Sequence, residues 1–247
     1  MDRALYIAMT GAKHNTMAQA AHSNNLANSD TTGFRADFAQ ARSMPVFGEH
    51  YPSRVYAMTE RPASDFTDGP MISTERELDV AIAGDGFFSV IDQEGNEAYT
   101  RRGDLMVTPA GELINGDGLQ VVGEGGPIVL PEFERISFGD DGTISIRPIG
   151  AAADEILVVD NLKLVLPNLQ DMEKGTDGLF RPFEDDEELP LDPQVRVLSG
   201  YREGSNVSAV NELISILSLS RQFEMQIKMM KSAERMSEAS ASILQVT

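Results

Sequence analysis

The spacing of apolar residues divides the chain into two helical ends and a strand-rich middle. Residues 3–28 are predicted to form a helix, because apolar and small residues recur there every three or four positions. The residues on this face are Leu5, Met9, Ala12, Thr16 and Ala20. Residues 208–245 carry a heptad pattern that predicts one long helix, with Ser205 or Asn206 as its N-cap. The heptad positions are Leu213, Ile216, Ser220, Phe223, Ile227, Met230, Glu234, Ser237, Ala241 and Leu244.

The predicted C-terminal helix is too long for a small β domain to cover. At a rise of about 1.5 Å per residue it spans about 55 Å. We therefore expect its apolar stripe to pack first against the N-terminal helix and then against neighbouring subunits. Burial of five heptad residues would contribute about 10 kcal/mol in an assembled state. These residues are Leu213, Ile216, Phe223, Ile227 and Met230.

Short strands separated by turn residues predict an antiparallel β domain in the middle of the chain. Residues 78–82 alternate between apolar and polar, and residues 87–91 are mostly apolar. The turns at 115–118 and 140–142 are built from Asn, Asp and Gly, which tolerate positive φ. Residues 31–77 have poor periodicity and several prolines, and are predicted to be an extended connector. The acidic run at 184–188 is predicted to be a solvated loop.

These patterns together predict an α+β fold class. We expect long N- and C-terminal helices that pair in a coiled-coil-like manner, with an antiparallel β-barrel or sandwich inserted between them. The predicted domains are an N-terminal helix at 1–30, a connector at 31–77, a β domain at 78–200 and a long C-terminal helix at 201–247.

Composition and charge exclude several classes of function. The 247-residue chain has no Cys, so it contains no disulfide and no thiolate chemistry. Its net charge of −19 is concentrated between the ends, since residues 1–42 carry +1 and residues 206–247 carry zero. An acidic protein of this kind is unsuited to nucleic acid. No apolar run is long enough for membrane insertion, and the start lacks the pattern of a cleaved signal peptide.

No pattern of catalytic, cofactor or metal-binding residues is found. The glycine-rich run at 123–127 lacks the lysine of a phosphate-binding loop, so a turn is the better interpretation. The acidic turn at 140–142 lacks the remaining ligands of a calcium loop. His14 and His22 are separated by about 12 Å of helical rise, too far to share one ion. Arg101 and Arg102 are predicted to be a solvated pair. We therefore expect no cofactor, no metal and no enzyme activity.

Three groups of residues, in this order along the chain, resemble the family of bacterial flagellar rod and hook proteins. The N-terminal group is Asn24-Asn25-Leu26-Ala27-Asn28 with Gly33-Phe34-Arg35. The central group is Asp85-Gly86-Phe87-Phe88 with Tyr99-Thr100-Arg101. The C-terminal group is Gly204-Ser205-Asn206-Val207 with Arg221-Gln222-Phe223-Glu224-Met225. The short connector after Arg35 is more similar to the proximal rod members than to the distal ones.

The resemblance implies a structural subunit of the flagellar basal-body rod, a hollow drive shaft that transmits torque. Such subunits are exported without a cleaved signal by the flagellar type III apparatus and assemble in the periplasm with copies of themselves and other rod proteins. Their terminal helices form the inner tube, and the β domain lies outside. The interface residues implied here are Leu5, Met9, Asn24, Asn25, Leu26, Asn28, Gly33, Phe34, Arg35, Ser205, Asn206, Leu213, Ile216, Phe223, Ile227 and Met230.

Several alternatives remain open at this stage. Asn24, Asn25 and Asn28 fit either hydrogen bonding between subunits or simple turn chemistry at a helix end. The long C-terminal helix also fits an adaptor that coils with one other protein. A distal rod protein of the same family, or a soluble enzyme with a site in a β-barrel, are further possibilities, although no nucleophile and base are paired in the sequence.

Overall fold

The computed structural model describes residues 3–45, 55–60, 64–152, 155–183 and 189–245, so the predicted loop at 184–188 lies outside the described residues. The chain divides into two compact units. We call the first, Met1–Ser29 with Ala36–Asp65 and Val207–Thr247, the helical unit. The second, Asp30–Arg35 with Phe66–Asn206, is called the β unit.

The helical unit contains two long helices and one hairpin. Helix α1 runs over Arg3–Ala27 and helix α2 over Ala209–Gln245, close to the helices that the apolar spacing predicts. Strands β1 (Gln40–Pro45) and β2 (Val55–Glu60) pair antiparallel within the stretch predicted to be an extended connector. The sequence of β1, QARSMP, has no alternation of apolar and polar residues, which explains why periodicity did not predict this hairpin.

Helices α1 and α2 run antiparallel and approach closely in the middle of α1. His22 lies 2.5 Å from Glu212 at one end of the pair, and Leu5 lines a groove with Met230 at the other. A Cβ atom on Gly11 would lie 2.9 Å from the side-chain nitrogen of Gln226, so only glycine fits there without displacing that side chain. Small residues on α1 therefore allow this contact, as the Ala-rich face predicts.

The β unit is built from short antiparallel strands. These are β3 (Met71–Ser73), β4 (Val80–Ala83), β5 (Phe87–Ile91), β6 (Glu97–Thr100), β7 (Met106–Val107), β8 (Leu113–Ile114), β9 (Val122–Gly123), β10 (Gly126–Pro127), β11 (Phe133–Phe138), β12 (Thr143–Pro148), β13 (Leu157–Asn161), β14 (Leu164–Val165), β15 (Met172–Lys174), β16 (Phe180–Pro182), β17 (Arg196–Ser199) and β18 (Tyr201–Glu203). One 3-10 turn, Leu169–Asp171, precedes β15. The largest sheet has the order β14-β5-β6-β16-β15, and a second has the order β11-β12-β13. The remaining strands pair in twos: β3 with β18, β4 with β17, β7 with β8 and β9 with β10.

The five-stranded sheet is covered on both faces, because successive side chains of a strand point to opposite sides. On one face Phe88 and Val90 join the main apolar core. On the other face Phe87 packs with Phe180 and Phe66, with ring centroids 5.2 and 6.3 Å from that of Phe87. Because both faces of the sheet are covered, β5 is an almost continuous run of apolar residues and does not alternate with polar ones.

The fold class predicted from the sequence is wrong. The described residues form two α-helices and 18 short strands, and these strands make seven separate sheets with no closed barrel. Regular turns suggested a barrel, but most of these strands have only two to four residues, too few for a continuous tilted ladder. The helices contact each other, yet Leu213 and Phe223 at predicted seam positions are 49% and 37% exposed, which is not coiled-coil packing.

The three predicted turns in the β unit are confirmed, the first at 115–118, where Gly118 has φ +80° and its N–H donates to the carbonyl of Asn115 at 2.9 Å. Strands β9 and β10 form a hairpin in which Gly123 pairs with Gly126, so the glycine-rich run at 123–127 is a turn. The acidic turn lies between β11 and β12, where Gly142 has φ +89°. In the described part of the chain no helix is long and apolar enough to cross a membrane, and no group of three or more His, Asp or Glu side chains could hold a metal ion.

Candidate assembly interface and its supporting ionic cluster

Four charged residues from distant parts of the sequence meet inside the β unit, and we call them the ionic cluster. They are Arg35, Asp68, Arg101 and Glu203. Arg35 and Arg101 are each 2% exposed and Glu203 is 1% exposed, whereas the Asp68 side chain is half-exposed. Two positive and two negative charges balance, so the cluster as a whole carries no net charge, and Asp68 is its half-exposed member.

Glu203, the last residue of β18, lies at the centre of the cluster. Its Oε1 accepts hydrogen bonds from Arg35 Nη1 at 2.7 Å and from the backbone N–H of Gly69 at 3.0 Å. Its Oε2 accepts a hydrogen bond from Arg101 Nε at 2.9 Å. The backbone carbonyl of Glu203 accepts a further bond from the N–H of Gly33 at 2.9 Å. One residue therefore joins segments that lie far apart in the sequence.

The two arginines use their remaining donors on neighbouring backbone and on Asp68. Arg101 Nη1 donates to the carbonyls of Gly84 and Gly86, both at 2.7 Å. Arg101 Nη2 and Arg35 Nη2 each donate to Asp68 Oδ1 at 2.9 Å. Burial lowers the pKa of Arg35 and the charge of Arg101 acts in the same direction, while Glu203 and Asp68 raise it.

The prediction that Arg101 and Arg102 form a solvated pair is wrong. Arg101 follows directly after β6, whose last three residues are all buried, and the chain carries Arg101 into the interior with them. Arg102 points elsewhere and pairs with Asp104 at 2.7 Å and with Asp117. Two adjacent arginines in a sequence predict neither the burial of Arg101 nor the ion pairs of Arg102. The position of Arg101 directly after β6 is the feature that accounts for its burial.

Gly33, Phe34 and Asn206 lie around the cluster and are held in the β unit. Gly33 has φ +66°, and a Cβ atom there would lie 2.5 Å from the carbonyl carbon of Arg101, so glycine is needed for conformation and for space. Lys174 Nζ lies 3.8 Å from the centre of the Phe34 ring. The backbone N–H of Asn206 donates to the carbonyl of Phe34, and its side-chain N–H to the carbonyl of Thr67.

The N-cap of α2 lies later than predicted. The helix begins at Ala209, so its N-cap position is Ser208, and Ser205 and Asn206 lie three and two residues before it. Ser205 is buried in the β unit, and Asn206 directs its side chain to Thr67. Both residues therefore fasten the chain to the β unit before the helix starts.

The asparagines at the end of α1 have different roles. Asn25 is buried, and its side chain donates to the carbonyl of Asp37 and accepts from the N–H of Asp37, both at 2.9 Å. Asn28 donates to the carbonyl of Asn24 at 3.0 Å, which is the turn chemistry expected at a helix end. The Asn24 side chain is exposed. Hydrogen bonding between subunits stays a prediction for these residues.

The predicted interface residues on the helices fall into two groups. Leu5, Leu26, Ile216, Ile227 and Met230 are half-buried within the helical unit. Met9, Leu213 and Phe223 are exposed, at 52%, 49% and 37%. The structure thus places the first group between elements of one chain and leaves the second group in contact with solvent.

A row of exposed apolar side chains on α2, which we call the apolar stripe, was only partly predicted. Its members are Val210, Leu213, Ile214, Leu217, Met225, Met229 and Met236, each at least 49% exposed. Their spacing follows the helical period, so they share one side of α2. The heptad register pointed to the neighbouring side, which α1 partly covers. A long exposed apolar row of this kind marks a surface for other proteins.

Comparison with known proteins identifies the class of this chain. Residues 5–35 match the family described as "Flagella basal body rod protein". Residues 81–146 match "Flagellar hook protein FlgE/F/G D1 domain", and residues 198–243 match "Flagellar basal body rod FlgEFG protein C-terminal". These matched regions include Arg35, Arg101 and Glu203 of the ionic cluster.

Curated relatives cover nearly the full length. The chain is 40% identical over 239 residues to the flagellar basal-body rod protein FlgF of Escherichia coli (strain K12), covering 95% of both chains. It is 30% identical to FlgF of Caulobacter vibrioides, over 99% of this chain and 98% of the relative. FlgG of Buchnera aphidicola (subsp. Schizaphis graminum) is 27% identical over 96% and 97%. The chain therefore belongs to the family of flagellar basal-body rod proteins, among its FlgF members.

Proposed function

We propose that this chain is a structural subunit of the proximal part of the flagellar rod and that it has no enzyme activity. In this proposal the helical unit supplies the contacts that build a hollow shaft, and the shaft transmits torque. The partners are copies of the same chain and other rod proteins, and the flagellar type III apparatus exports the subunit to the periplasm without a cleaved signal. FlgG-type relatives match at lower identity, so the distal rod is the second candidate.

The observation that carries the proposal is the apolar stripe on α2. Full burial of a Leu, Ile or Met side chain gains about 1.5–3 kcal/mol, which this surface realises only when another chain covers it. The helical unit contains nine basic and nine acidic residues, so its net charge is zero. Neighbouring copies can therefore pack along α2 without net electrostatic repulsion.

The predicted interface residues have two roles in this proposal. Met9, Asn24, Leu213 and Phe223 are exposed and contact other subunits directly. The remaining predicted residues act by holding those contacts in place within the chain. Residues 1–30 and 201–247 form the part that builds the shaft, residues 31–77 connect it, and residues 78–200 form the hook-like β domain.

A charge placed in the apolar stripe tests this proposal. Leu217 is 59% exposed, so Leu217→Asp leaves the isolated chain folded but puts a carboxylate into a desolvated contact, at a cost of several kcal/mol. We expect the variant to restore neither swimming nor the subunit in purified basal bodies of a strain that lacks the wild-type chain. Gln194→Glu is the charge control, because it adds one negative charge at an exposed polar position of the β unit.

Normal incorporation of Leu217→Asp into basal bodies, equal to that of Gln194→Glu, would show that the apolar stripe is not an assembly surface. Phe223→Asp sharpens the result, because Phe223 lies on the heptad side of α2, away from the stripe, and is 37% exposed. We expect its incorporation to fall as well. If incorporation is lost for Phe223→Asp alone, the contact surface lies on the heptad side of α2.

A further inference from the structure

The chain passes between the two units at four places, and the ionic cluster lies close to three of them in sequence. The passages are at residues 29–30, 35–36, 65–66 and 206–207. Arg35 is the residue at the second passage, Asp68 follows the third by two residues after Phe66, and Glu203 precedes the fourth by three residues. Gly33, between the first and second passages, is bonded to the carbonyl of Glu203.

We propose that the ionic cluster is an anchor that fixes all four connections to the β unit, with Glu203 as its positioning residue. Glu203 needs no contact with another subunit for this role. Its carboxylate binds the segment before α2 to the segment after α1, and so couples both ends of the chain. The part of this inference that concerns rod assembly rests on the proposed function, whereas the anchoring itself does not.

The hydrogen-bond pattern explains why a carboxylate is required at position 203. Two guanidinium groups and one backbone N–H converge on its two oxygens. A glutamine at this position presents one oxygen and one NH2 group, so it cannot accept on both sides. Removal of the negative charge also leaves Arg35 and Arg101 buried with only Asp68 as their acidic partner, a strongly unfavourable arrangement.

Backbone packing brings the same segments together. Strand β18 pairs with β3, with Glu203 opposite Met71, and the N–H of Gly204 donates to the carbonyl of Pro70 at 2.8 Å. A Cβ atom on Gly69 would overlap the carbonyl oxygen of Gly204, so the two backbones are in direct contact. Glu203 is the last residue of β18 in this β-ladder, and the chain continues from it toward α2.

Amide hydrogen exchange of the purified full-length chain tests the anchor directly. In Glu203→Gln we expect exchange at the N–H groups of Gly33 and Gly69 to rise about tenfold to a hundredfold, while exchange in β5 stays unchanged. Glu97→Gln is the matched control, because Glu97 is also a glutamate of the β unit, its side chain is only 10% exposed, and it pairs with Lys163 at 2.7 Å. We expect this control to leave Gly33 and Gly69 protected.

Incorporation into basal bodies tests the consequence for assembly. We expect Glu203→Gln to reduce incorporation about tenfold or more relative to Glu97→Gln. Asp68→Asn is a milder second variant, because the Asp68 side chain is 46% exposed and its loss leaves the Glu203 bonds in place. We expect an intermediate reduction for Asp68→Asn if Glu203→Gln fails to fold.

Two results would overturn the inference. One is unchanged exchange at Gly33 and Gly69 in a folded Glu203→Gln chain, or normal incorporation of Asp68→Asn when Glu203→Gln does not fold. The other is raised exchange with normal incorporation, which would make the cluster a local structural feature without a role in assembly. Failure of the proposed function gives a different pattern, because then the wild-type chain is also absent from basal bodies.

Discussion

The β unit and the helical unit are stabilised in different ways. The β unit buries a cluster of 19 apolar residues and a second, aromatic cluster around Phe87 and Phe180. In the helical unit the buried apolar residues of α1 are Ala8, Ala12 and Ala18, and none of the described side chains of α2 is buried. The β unit thus has a large internal apolar core, although it also exposes Ile149, Ile156, Val158 and Phe183, whereas the helices bury only small apolar residues and leave the apolar stripe to solvent.

The two units also differ in net charge. The β unit holds 30 acidic and 11 basic residues, a net charge of −19, and the helical unit is neutral. Like charges repel, so the β units of neighbouring copies are expected to repel one another, whereas the neutral helical units carry no such net repulsion. The β unit contains most of the apolar core, and the helical unit contains the exposed apolar stripe that we propose for assembly.

The largest expected effect comes from truncating one apolar side chain in each unit and comparing the two losses in the free energy of unfolding. Phe88 is 1% exposed, so Phe88→Ala leaves a cavity and should lower the free energy of unfolding by about 3–5 kcal/mol. Leu217→Ala, on the exposed stripe, should change it by less than about 0.5 kcal/mol. Urea denaturation of the purified chain, followed by circular dichroism, measures the free energy of unfolding of both variants.

When incorporation into basal bodies is measured, the order of the two effects should reverse, with Leu217→Ala having the larger effect. Leu217→Ala removes contact area in the assembled state only, so it should weaken incorporation into basal bodies without a change in unfolding. A loss of several kcal/mol for Leu217→Ala in the isolated chain would contradict the comparison, because it would mean that the stripe is already buried within the monomer.

A smaller effect is expected where the helical unit does have internal polar packing. Asn25→Ala leaves the N–H and carbonyl of Asp37 without their side-chain partner and should cost about 1–3 kcal/mol. Asn24→Ala is the control, because its side chain is exposed, and should cost less than about 0.5 kcal/mol. Thermal unfolding followed by circular dichroism at 222 nm reports on the helices. Equal losses in the two variants would show that Asn25 does not hold the 36–38 segment.

Local patterns predicted the helices and turns because these depend on neighbouring residues. The bounds of α1 and α2 follow from apolar spacing, and the hairpins at 123–127 and 140–142 follow from glycine and aspartate at turn positions. Sheet order could not be predicted, since β18 pairs with β3 across more than 120 residues, and nothing in either sequence specifies this partner. The barrel prediction failed at this step.

For the candidate site, the sequence pointed to some of the residues but not to their meeting in one cluster. The three groups of family-like residues include Arg35 and Arg101, and Glu203 directly precedes the third group. Their meeting in one buried cluster depends on long-range pairing, which no local pattern contains. Leu213 and Phe223 fit the predicted heptad and are exposed, because the small residues of α1 cover only part of that side of α2, and their contact with other subunits stays a prediction.

The smallest expected effect concerns the ion pairs of Arg181 with Asp92 and Asp177 in the β unit and their dependence on pH. Arg181 donates to Asp92 at 2.8 Å and to Asp177 at 2.7 Å. Burial raises the pKa of Asp92, but the hydrogen bonds from Arg181 and from the backbone N–H groups of Asn96 and Glu94 outweigh it, so the pKa is lowered. The pKa of Asp177 is lowered in the same way, with Arg181 again opposing burial.

A carboxylate with a lowered pKa in the folded state stabilises the fold above its unfolded pKa of about 4. This contribution is lost as the pH falls through the folded pKa. Arg181→Met should therefore cost about 1 kcal/mol at pH 7, and the difference from the wild-type chain should shrink from about pH 4 downward. Arg135→Met, which removes an exposed pair with Glu77, should cost less at pH 7. A difference between Arg181→Met and the wild-type chain that stays constant in urea denaturation from pH 7 to pH 3 would mean that Arg181 acts through packing of its apolar stem and not through charge.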